Sequence, residues 1–518
     1  MIPIELCRIA PKQRCPKKLS EAQLRTFYDG SDTTRHTPAK RKFDICEIVS
    51  GVIANEDPIL EHYGIKIEDK MTSLTARVIP PPKIVYRGEQ QSYTTVVPEN
   101  GRWNLRDKFF DGISIKSWAL VCCAQQHQVS QTSLRNFVSQ LRNVGKMVGM
   151  PFVFAPSFCK YVVNIEHIEP VFKYLSQMSH PIQLVVVVLT GKTAIYGKVK
   201  RVGDTQCGLT TQCIHVSNVV APVKHTLINL CMKINIKLGG VNSVAVNSVH
   251  LPALQEPVLF IGANVMELSR REGNGPMSVS CVVGSAGGFQ SRFTAAVRVQ
   301  KDTDFVIEQL SSMVRELILN FFRMSNFKPR RIVYYRDHVH ENLLEYVLQY
   351  EIRAIRDACL SIEKDYNPAI TFITVHLTHR SRLFPATVEE QDNVPAGTVV
   401  DTVITSKEFF DFYLVSHSGM KGTSRPTRYQ VLWDDSRMTA DEIQQLTYFL
   451  CHTQARCTRS ISIPAPIYYA VLVGQRARLH VVDHTSDGNT RKSDLLPHNV
   501  AQQVVEIHER MVKKMYFA

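Results

Sequence analysis

No apolar run in this 518-residue sequence is long enough to cross a bilayer, and the N-terminus lacks the apolar core of a secretory leader. Internal repeats and low-complexity tracts are absent, which excludes solenoid and fibrous arrays. The 13 cysteines are odd in number, scattered, and often set in apolar runs such as Val121-Cys122-Cys123-Ala124. Neither a Cys-x-x-Cys pair nor a His-rich cluster with zinc spacing accompanies them, so a disulfide framework and a structural zinc site are not expected. Reduced thiols in a soluble protein of the cytoplasm, or also of the nucleus, are the expectation. Thr190-Gly191-Lys192-Thr193 lacks the leading glycine of a P-loop, which excludes an NTPase of that class. Carboxylates are outnumbered: 47 Asp and Glu face 61 Lys and Arg, an excess of 61 − 47 = 14 positive charges. That balance suits a polyanionic partner.

What is present is an α/β pattern. Trp118-Ala119-Leu120-Val121 reads as a strand, followed by a helix with Thr132 near its cap and Leu134, Phe137, Val138 and Leu141 on one face. Leu184–Leu189 is a continuous branched apolar run, the signature of a buried parallel strand. Further on, Pro257–Gly262, Thr294–Val299 and Arg331–Asp337 read as strands and Val306–Phe322 as a long amphipathic helix. Thr439 with Glu442 forms a capping box ahead of Ile443, Leu446 and Leu450. Before Arg106, a polar helical stretch leads into Asp44–Val49. Alternating residues at Tyr63–Ile67 and Thr75–Ile79 predict short strands that end at Pro80-Pro81-Pro82.

The segment Ile195–Gly240 concentrates positive charge. Leu227, Leu230 and Ile234 repeat at helical spacing up to a Gly239-Gly240 stop. On that helix Lys233 and Lys237 stand four apart, side by side, an arrangement that is mildly unfavourable unless an anion sits between them. With Lys200 and the Tyr196 hydroxyl nearby, a phosphate is the natural tenant. The same spacing also fits a solvated helix face.

Tyr196, Lys200, Gln212, Lys233 and Lys237, with the flanking runs Lys200–Thr205 and Ile236–Asn242, resemble the 5′-phosphate pocket of Argonaute MID domains. Tyr335-Arg336-Asp337, Gly422–Pro426, Val431–Asp435 and Ser462–Ala470 resemble a PIWI domain. The resemblance covers nearly the whole chain. It implies a remnant of a PAZ C-terminus at 1–16, a second linker at 17–110, a Rossmann-like β/α MID domain at 111–250, and a PIWI domain with an RNase H-like mixed sheet at 251–518. It further implies that Arg476 joins the phosphate pocket, and that His215, Asn218, Arg425, Arg456, Ser462 and Tyr468 contact the backbone of a guide strand. Gln454 and Leu377 depart from the family's usual tyrosine and lysine. The implied partners are a small guide RNA with a 5′ monophosphate, its complementary target RNA, and silencing scaffolds with glycine-tryptophan repeats. For the last, Pro257, Phe321, Phe322, Phe327, Lys328, Ile362, Glu363 and Tyr366 resemble paired tryptophan pockets. Spacing alone favours Phe321 and Phe327 as core residues. No membrane partner is implied.

RNase H-like nucleases hold two divalent metals with a cluster of carboxylates. The four family positions fall on Asn264, Phe305, Asp337 and Val471, so only the third keeps its carboxylate. Asp304 and Glu308 flank the second position. Guide-directed silencing without cleavage is the leading expectation, with no metal at the degenerate site and none required for binding, although Mg²⁺ at the guide 5′ phosphate is compatible with the resemblance. An active Mg²⁺-dependent RNA endonuclease and a guide-free protein scaffold are the alternatives.

Overall fold

The computed structural model describes residues 37–52, 58–68, 70–105, 107–191, 193–247, 251, 254–269, 277–287, 290–300, 305–386, 393–419, 422–486 and 498–518. The expected PAZ remnant at 1–16 lies outside them, as do Asp304 and Lys192. No helix among the described residues is long and apolar enough to cross a membrane.

Two units divide the chain. The smaller comprises Met1–Ser73, Arg382–Val394 and Gly419–Ser424; the larger comprises Leu74–Ser381, Pro395–Ser418 and Arg425–Ala518. In the smaller unit the helix Pro38–Val52 absorbs Asp44–Val49, and Lys42 Nζ donates to the Pro385 carbonyl at 3.2 Å. The strand expected at Tyr63–Ile67 does not form: a turn at Tyr63-Gly64 is followed by irregular backbone. Alternation makes a strand only where a sheet edge accepts its hydrogen bonds, and among the described residues that segment joins no sheet.

In the larger unit, β1 (Arg77–Val78) is all that forms of the second expected linker strand. β2 (Lys83–Arg87) and β3 (Tyr93–Val96) follow as an antiparallel pair. Next come β4 (Trp118–Cys122), β5 (Phe158–Tyr161), β6 (Leu184–Leu189) and β7 (Thr211–His215), all parallel, in spatial order β5-β4-β6-β7. Its central strand is buried on both faces, so the run Leu184–Leu189 is apolar throughout. Leu184, Val186 and Val188 pack with Leu134, Phe137 and Leu227 of the helices Gln131–Met147 and Lys224–Lys237. Val185 and Val187 pack the other way, on Phe172 and Val199 of the helices Ile168–Ser176 and Thr193–Arg201. The first of these helices is capped by Ser130, whose oxygen accepts from the Ser133 amide, rather than by Thr132, which lies inside it. β8 (Val244–Val246) then returns to β2.

The last half builds a nine-stranded mixed sheet from β9 (Val258–Ser269), β10 (Met277–Ser285), β11 (Phe293–Gln300), β12 (Arg331–Asp337), β13 (Ala369–His376), β14 (Thr398–Val400), β15 (Asp411–Val415) and β16 (Thr427–Asp434), with β1 added at one edge. β12 runs parallel to both β9 and β13 at its centre, and every other pairing is antiparallel. On one face lie the helices Leu310–Ser325 and Leu344–Leu360; on the other lie Ala440–Leu450 and Ala465–Ser486. The Thr439–Glu442 capping box forms as expected. The long helix begins at Leu310, not Val306: Val306 and Ile307 are buried in the approach to it, so their apolar character reflects core packing before the helix starts.

Candidate functional site

The helix Thr193–Arg201 puts Tyr196 and Lys200 one turn apart on one side. The chain then widens into a π-helical turn, Val202–Gln206, which carries Asp204 into the interior. β7 supplies Thr211 and Gln212, and the helix Lys224–Lys237 supplies Lys233 and Lys237. Tyr196, Lys200, Gln212, Lys233 and Lys237, together with Arg456, Arg476, Phe517 and Ala518, line a cleft of about 330 Å³. All six residues expected at the phosphate pocket thus meet in one cavity.

Its cations are held inside the protein. Lys200 is 1 % exposed and Lys237 3 %, which rules out a solvated helix face for both. Lys200 Nζ donates to Thr211 Oγ1 at 2.7 Å and to the Thr211 carbonyl at 3.0 Å, and lies 5.7 Å from the Tyr196 ring centre. Lys237 Nζ donates to Gln212 Oε1 at 2.8 Å and Thr211 O at 3.3 Å. Burial, reinforced by Lys200 and Arg476, pushes the Lys237 ammonium well below the ordinary lysine range, and burial also lowers Lys233. Such a site favours an anion, because cations that disfavour one another are relieved by negative charge.

Arg476 reaches the cleft from the helix Ala465–Ser486 on an anchor that sequence reading missed. Its Nη1 donates to Asp204 Oδ2 at 2.6 Å and to the Tyr516 carbonyl at 3.0 Å. His480 Nε2 approaches the same carboxylate oxygen at 3.4 Å. Burial opposes the charge on Asp204, but Arg476, His480 and Lys200 outweigh it and hold the carboxyl at about 2. One signal was available: Asp204 is a lone carboxylate in the run Lys198–Asp204, otherwise cationic or neutral.

Of the residues expected along a guide backbone, Arg456 and Tyr468 come together. Arg456 Nη1 donates to the Tyr468 hydroxyl at 2.6 Å, and Arg456 lines the same cleft as Lys233, so it belongs to the pocket. Gln454 shapes this turn: it accepts from the Arg456 amide at 2.8 Å and donates to the Cys457 and Arg459 carbonyls. His215 caps the short helix Val216–Val220 through Ser217, with Asn218 on that helix. Arg425 is exposed and donates to the His379 carbonyl at 2.9 Å, while the Ser462 carbonyl accepts from Thr427. These four do not line the cleft.

At the nuclease positions, Asn264 on β9 donates its amide to Asp337 Oδ2 at 2.7 Å at the end of β12, and the Asn264 carbonyl oxygen is buried without a partner. Burial raises the Asp337 carboxyl above its ordinary value. Phe305 precedes the helix Leu310–Ser325 rather than starting it; its backbone carbonyl accepts from Arg336 at 2.6 Å and its exposed ring meets His340. Val471 projects from the helix Ala465–Ser486.

The tryptophan-pocket residues divide. Phe321 is packed in the core beneath the helix Leu310–Ser325, so it lines no surface pocket. Phe322 and Phe327 are exposed, Lys328 is paired with Glu363, and the Lys328 ammonium sits 5.7 Å from the Tyr366 ring centre. Tyr366 donates to the Pro329 carbonyl, and Ile362 packs against the core. Pro257 accepts from the Arg330 amide.

Comparison with known proteins agrees with this architecture. Residues 184–482 match the Piwi domain, 97–178 the Mid domain of argonaute, and 40–86 the Argonaute linker 2 domain. Among solved structures, the Kluyveromyces polysporus Argonaute with a guide RNA superposes with a TM-score of 0.82 at 21 % identity, over 98 % of this chain and 60 % of that one. The C-terminal lobe of a budding yeast Argonaute gives 0.75 at 21 % identity, over 86 % of this chain and 95 % of that one. Drosophila Piwi gives 0.76 at 19 %, over 96 % and 64 %. The chain therefore spans less than two thirds of the length of the Kluyveromyces and Drosophila proteins. By its domain matches, its parallel and mixed sheets and the cationic cleft, the chain belongs to the Argonaute family, with a MID and a PIWI domain.

Proposed function

We propose that this chain holds a short RNA by its 5′ monophosphate in the cleft of Lys200, Lys233, Lys237, Arg456 and Arg476, and silences paired targets without cutting them. One observation carries the reading: five cationic side chains line the cavity and no Asp or Glu side chain does. A doubly charged terminal phosphate answers such a site in a way that a backbone phosphate, with its single charge, does not. Sequence readout is then left to base pairing between guide and target, while the protein supplies charge and shape. Asp204 is already committed to Arg476, and the cationic side chains supply the charge that neutralises the phosphate, so the binding requires no metal.

Two metals do not fit at the nuclease positions. Asn264 occupies the Asp337 carboxylate with an N–H donor, and Phe305 and Val471 bring no oxygen ligand in their side chains. No hydrolytic step is therefore assigned. Retention of 5′-phosphorylated and 5′-hydroxyl RNAs, compared before and after reversing Lys200→Glu and Lys233→Glu together, tests the binding. The phosphorylated RNA should lose its advantage; an unchanged advantage would sink the reading. A fully paired target incubated with Mg²⁺ should stay intact, and cleavage would make the protein an endonuclease. Repression would then need recruitment. The exposed Phe322, Phe327 and Lys328 suit indole rings of a glycine-tryptophan-repeat scaffold. Capture of a tryptophan-repeat peptide that survives Lys328→Ala unchanged would remove that partner.

A further inference from the structure

A cavity larger than the cationic cleft lies elsewhere in the molecule. A groove of about 870 Å³ runs between the helix Gln131–Met147 and the segment 151–161 of the MID domain. Leu134, Val138, Phe152 and Pro156 form an apolar floor, and Arg135, Arg142 and Lys146 stand along the helix as a rim. Arg142 is braced by the Phe152 and Val153 carbonyls, at 3.3 and 3.2 Å. Among the described residues none of these three cations has a carboxylate partner, and the reason is in the sequence: from Gly112 to Ile165 there is no Asp or Glu, while Lys116, Arg135, Arg142, Lys146 and Lys160 are all cationic. A chain whose carboxylates are elsewhere interspersed has cleared them from this face.

We infer that this groove is a docking site for an acidic amphipathic peptide helix, its apolar stripe on the floor and its carboxylates against Arg135, Arg142 and Lys146. At 1.5 Å rise per residue these cations stand roughly 10 Å and 6 Å apart along the axis, about two turns and one turn of a partner helix. Charge complementarity selects an acidic partner over a neutral or basic one. The floor selects a peptide over single-stranded RNA, which needs exposed aromatic faces for its bases. Phe152 is buried edge-on against Trp118 at 5.1 Å, and the Tyr161 hydroxyl is tied to the Val129 carbonyl at 2.7 Å, so neither ring is free to stack.

Fluorescence anisotropy on the 518-residue chain tests this with a labelled peptide carrying leucines at i, i+3, i+4 and i+7 and glutamates on both flanks. Saturable binding is expected, and a peptide with lysines for the glutamates should not bind. Arg135 and Lys146 are exposed, so reversing both, Arg135→Glu and Lys146→Glu, leaves the fold in place and should weaken the peptide at least about tenfold. Val138→Ser should weaken it independently. Retention of 5′-phosphorylated RNA should be unchanged in all of these variants, since none touches the phosphate pocket. Equal binding of the two peptides, or indifference to the double reversal, overturns the inference. So does displacement of the peptide by a 5′-hydroxyl RNA whose own binding falls with the same reversal, which would assign the groove to nucleic acid.

Discussion

At the scale of single residues, the lysines were legible and their support was not. Lys233 and Lys237 announce themselves because four-residue spacing puts like charges together, which a sequence tolerates when something negative is to be held. Asp204 gives no comparable signal: a carboxylate beneath a phosphate site looks contrary to its purpose until packing shows it gripping Arg476 and His480 rather than facing the cleft. The same holds for Asn264. Its identity says that a metal ligand is missing, and only the structure shows its amide turned onto Asp337. Asp204→Asn removes the buried side-chain carboxylate that pairs with Arg476, and loss of one partner from a buried ion pair costs about 3–5 kcal/mol. Urea unfolding at neutral pH should show a loss of that order. The pH dependence has a defined sign. The folded carboxyl sits near 2, below the ordinary value of about 3.9, so its contribution is fully present above that value and is lost as pH falls through about 2. The stabilities of the parent and the Asn variant should therefore converge between about pH 4 and pH 2. A gap that stays constant over that interval would mean Asp204 acts through shape and not charge.

At the scale of elements, agreement between sequence and structure follows how local each signal is. The Thr439–Glu442 cap, the buried strand Leu184–Leu189 and the apolar face of Gln131–Met147 are specified by residues within a few positions of one another, and all formed where expected. The linker strands depended on distant edges. Arg77–Val78 found β14 and became a strand, while Tyr63–Ile67 joins no strand among the described residues. The helix Ala465–Ser486 matters most for the cleft, because it brings Leu472, Gln475 and Arg476 to it. Its seat is Gly262 on β9, where an added Cβ would lie 2.2 Å from the Pro466 carbonyl carbon and 2.3 Å from its oxygen. Backbone cannot yield as a side chain can, so Gly262→Ala should cost about 1–3 kcal/mol through overpacking and displace the helix start. At Gly474, on the same helix, an added Cβ would meet the flexible tip of Met266 at 3.1 Å and Asn264 Oδ1 at an ordinary 3.5 Å. Denaturant midpoints should therefore fall clearly more for Gly262→Ala than for Gly474→Ala, and equal losses would disprove the close seating.

At the scale of the whole molecule, two explanations of RNA retention compete, and they separate by salt. The chain carries 14 excess positive charges, enough for a basic surface to hold any RNA loosely. The cleft instead gathers three lysines from the helices Thr193–Arg201 and Lys224–Lys237, and Arg456 and Arg476 from more than 200 residues further along the chain, around one cavity. Sequence could predict the charge excess and the names of most of these residues, but not that distant parts of the chain present them to one cavity, since that depends on packing between segments more than 200 residues apart, as Asp204 and Arg476 are at a separation of 272. Retention of single strands weakens with salt by a logarithmic slope of about 0.7 for each phosphate charge neutralised. If the surface alone were responsible, RNAs that differ only in a 5′ phosphate would give nearly parallel salt plots. If the cleft is responsible, the phosphorylated strand gains one to two neutralised charges there, and its slope should be steeper by roughly 0.7–1.4. Arg476→Gln should then remove part of that difference while leaving the 5′-hydroxyl slope as it was, because Arg476 is buried and adds nothing to the outer surface. Parallel plots for the two RNAs in the parent protein would place retention on the surface and leave the cleft without a role.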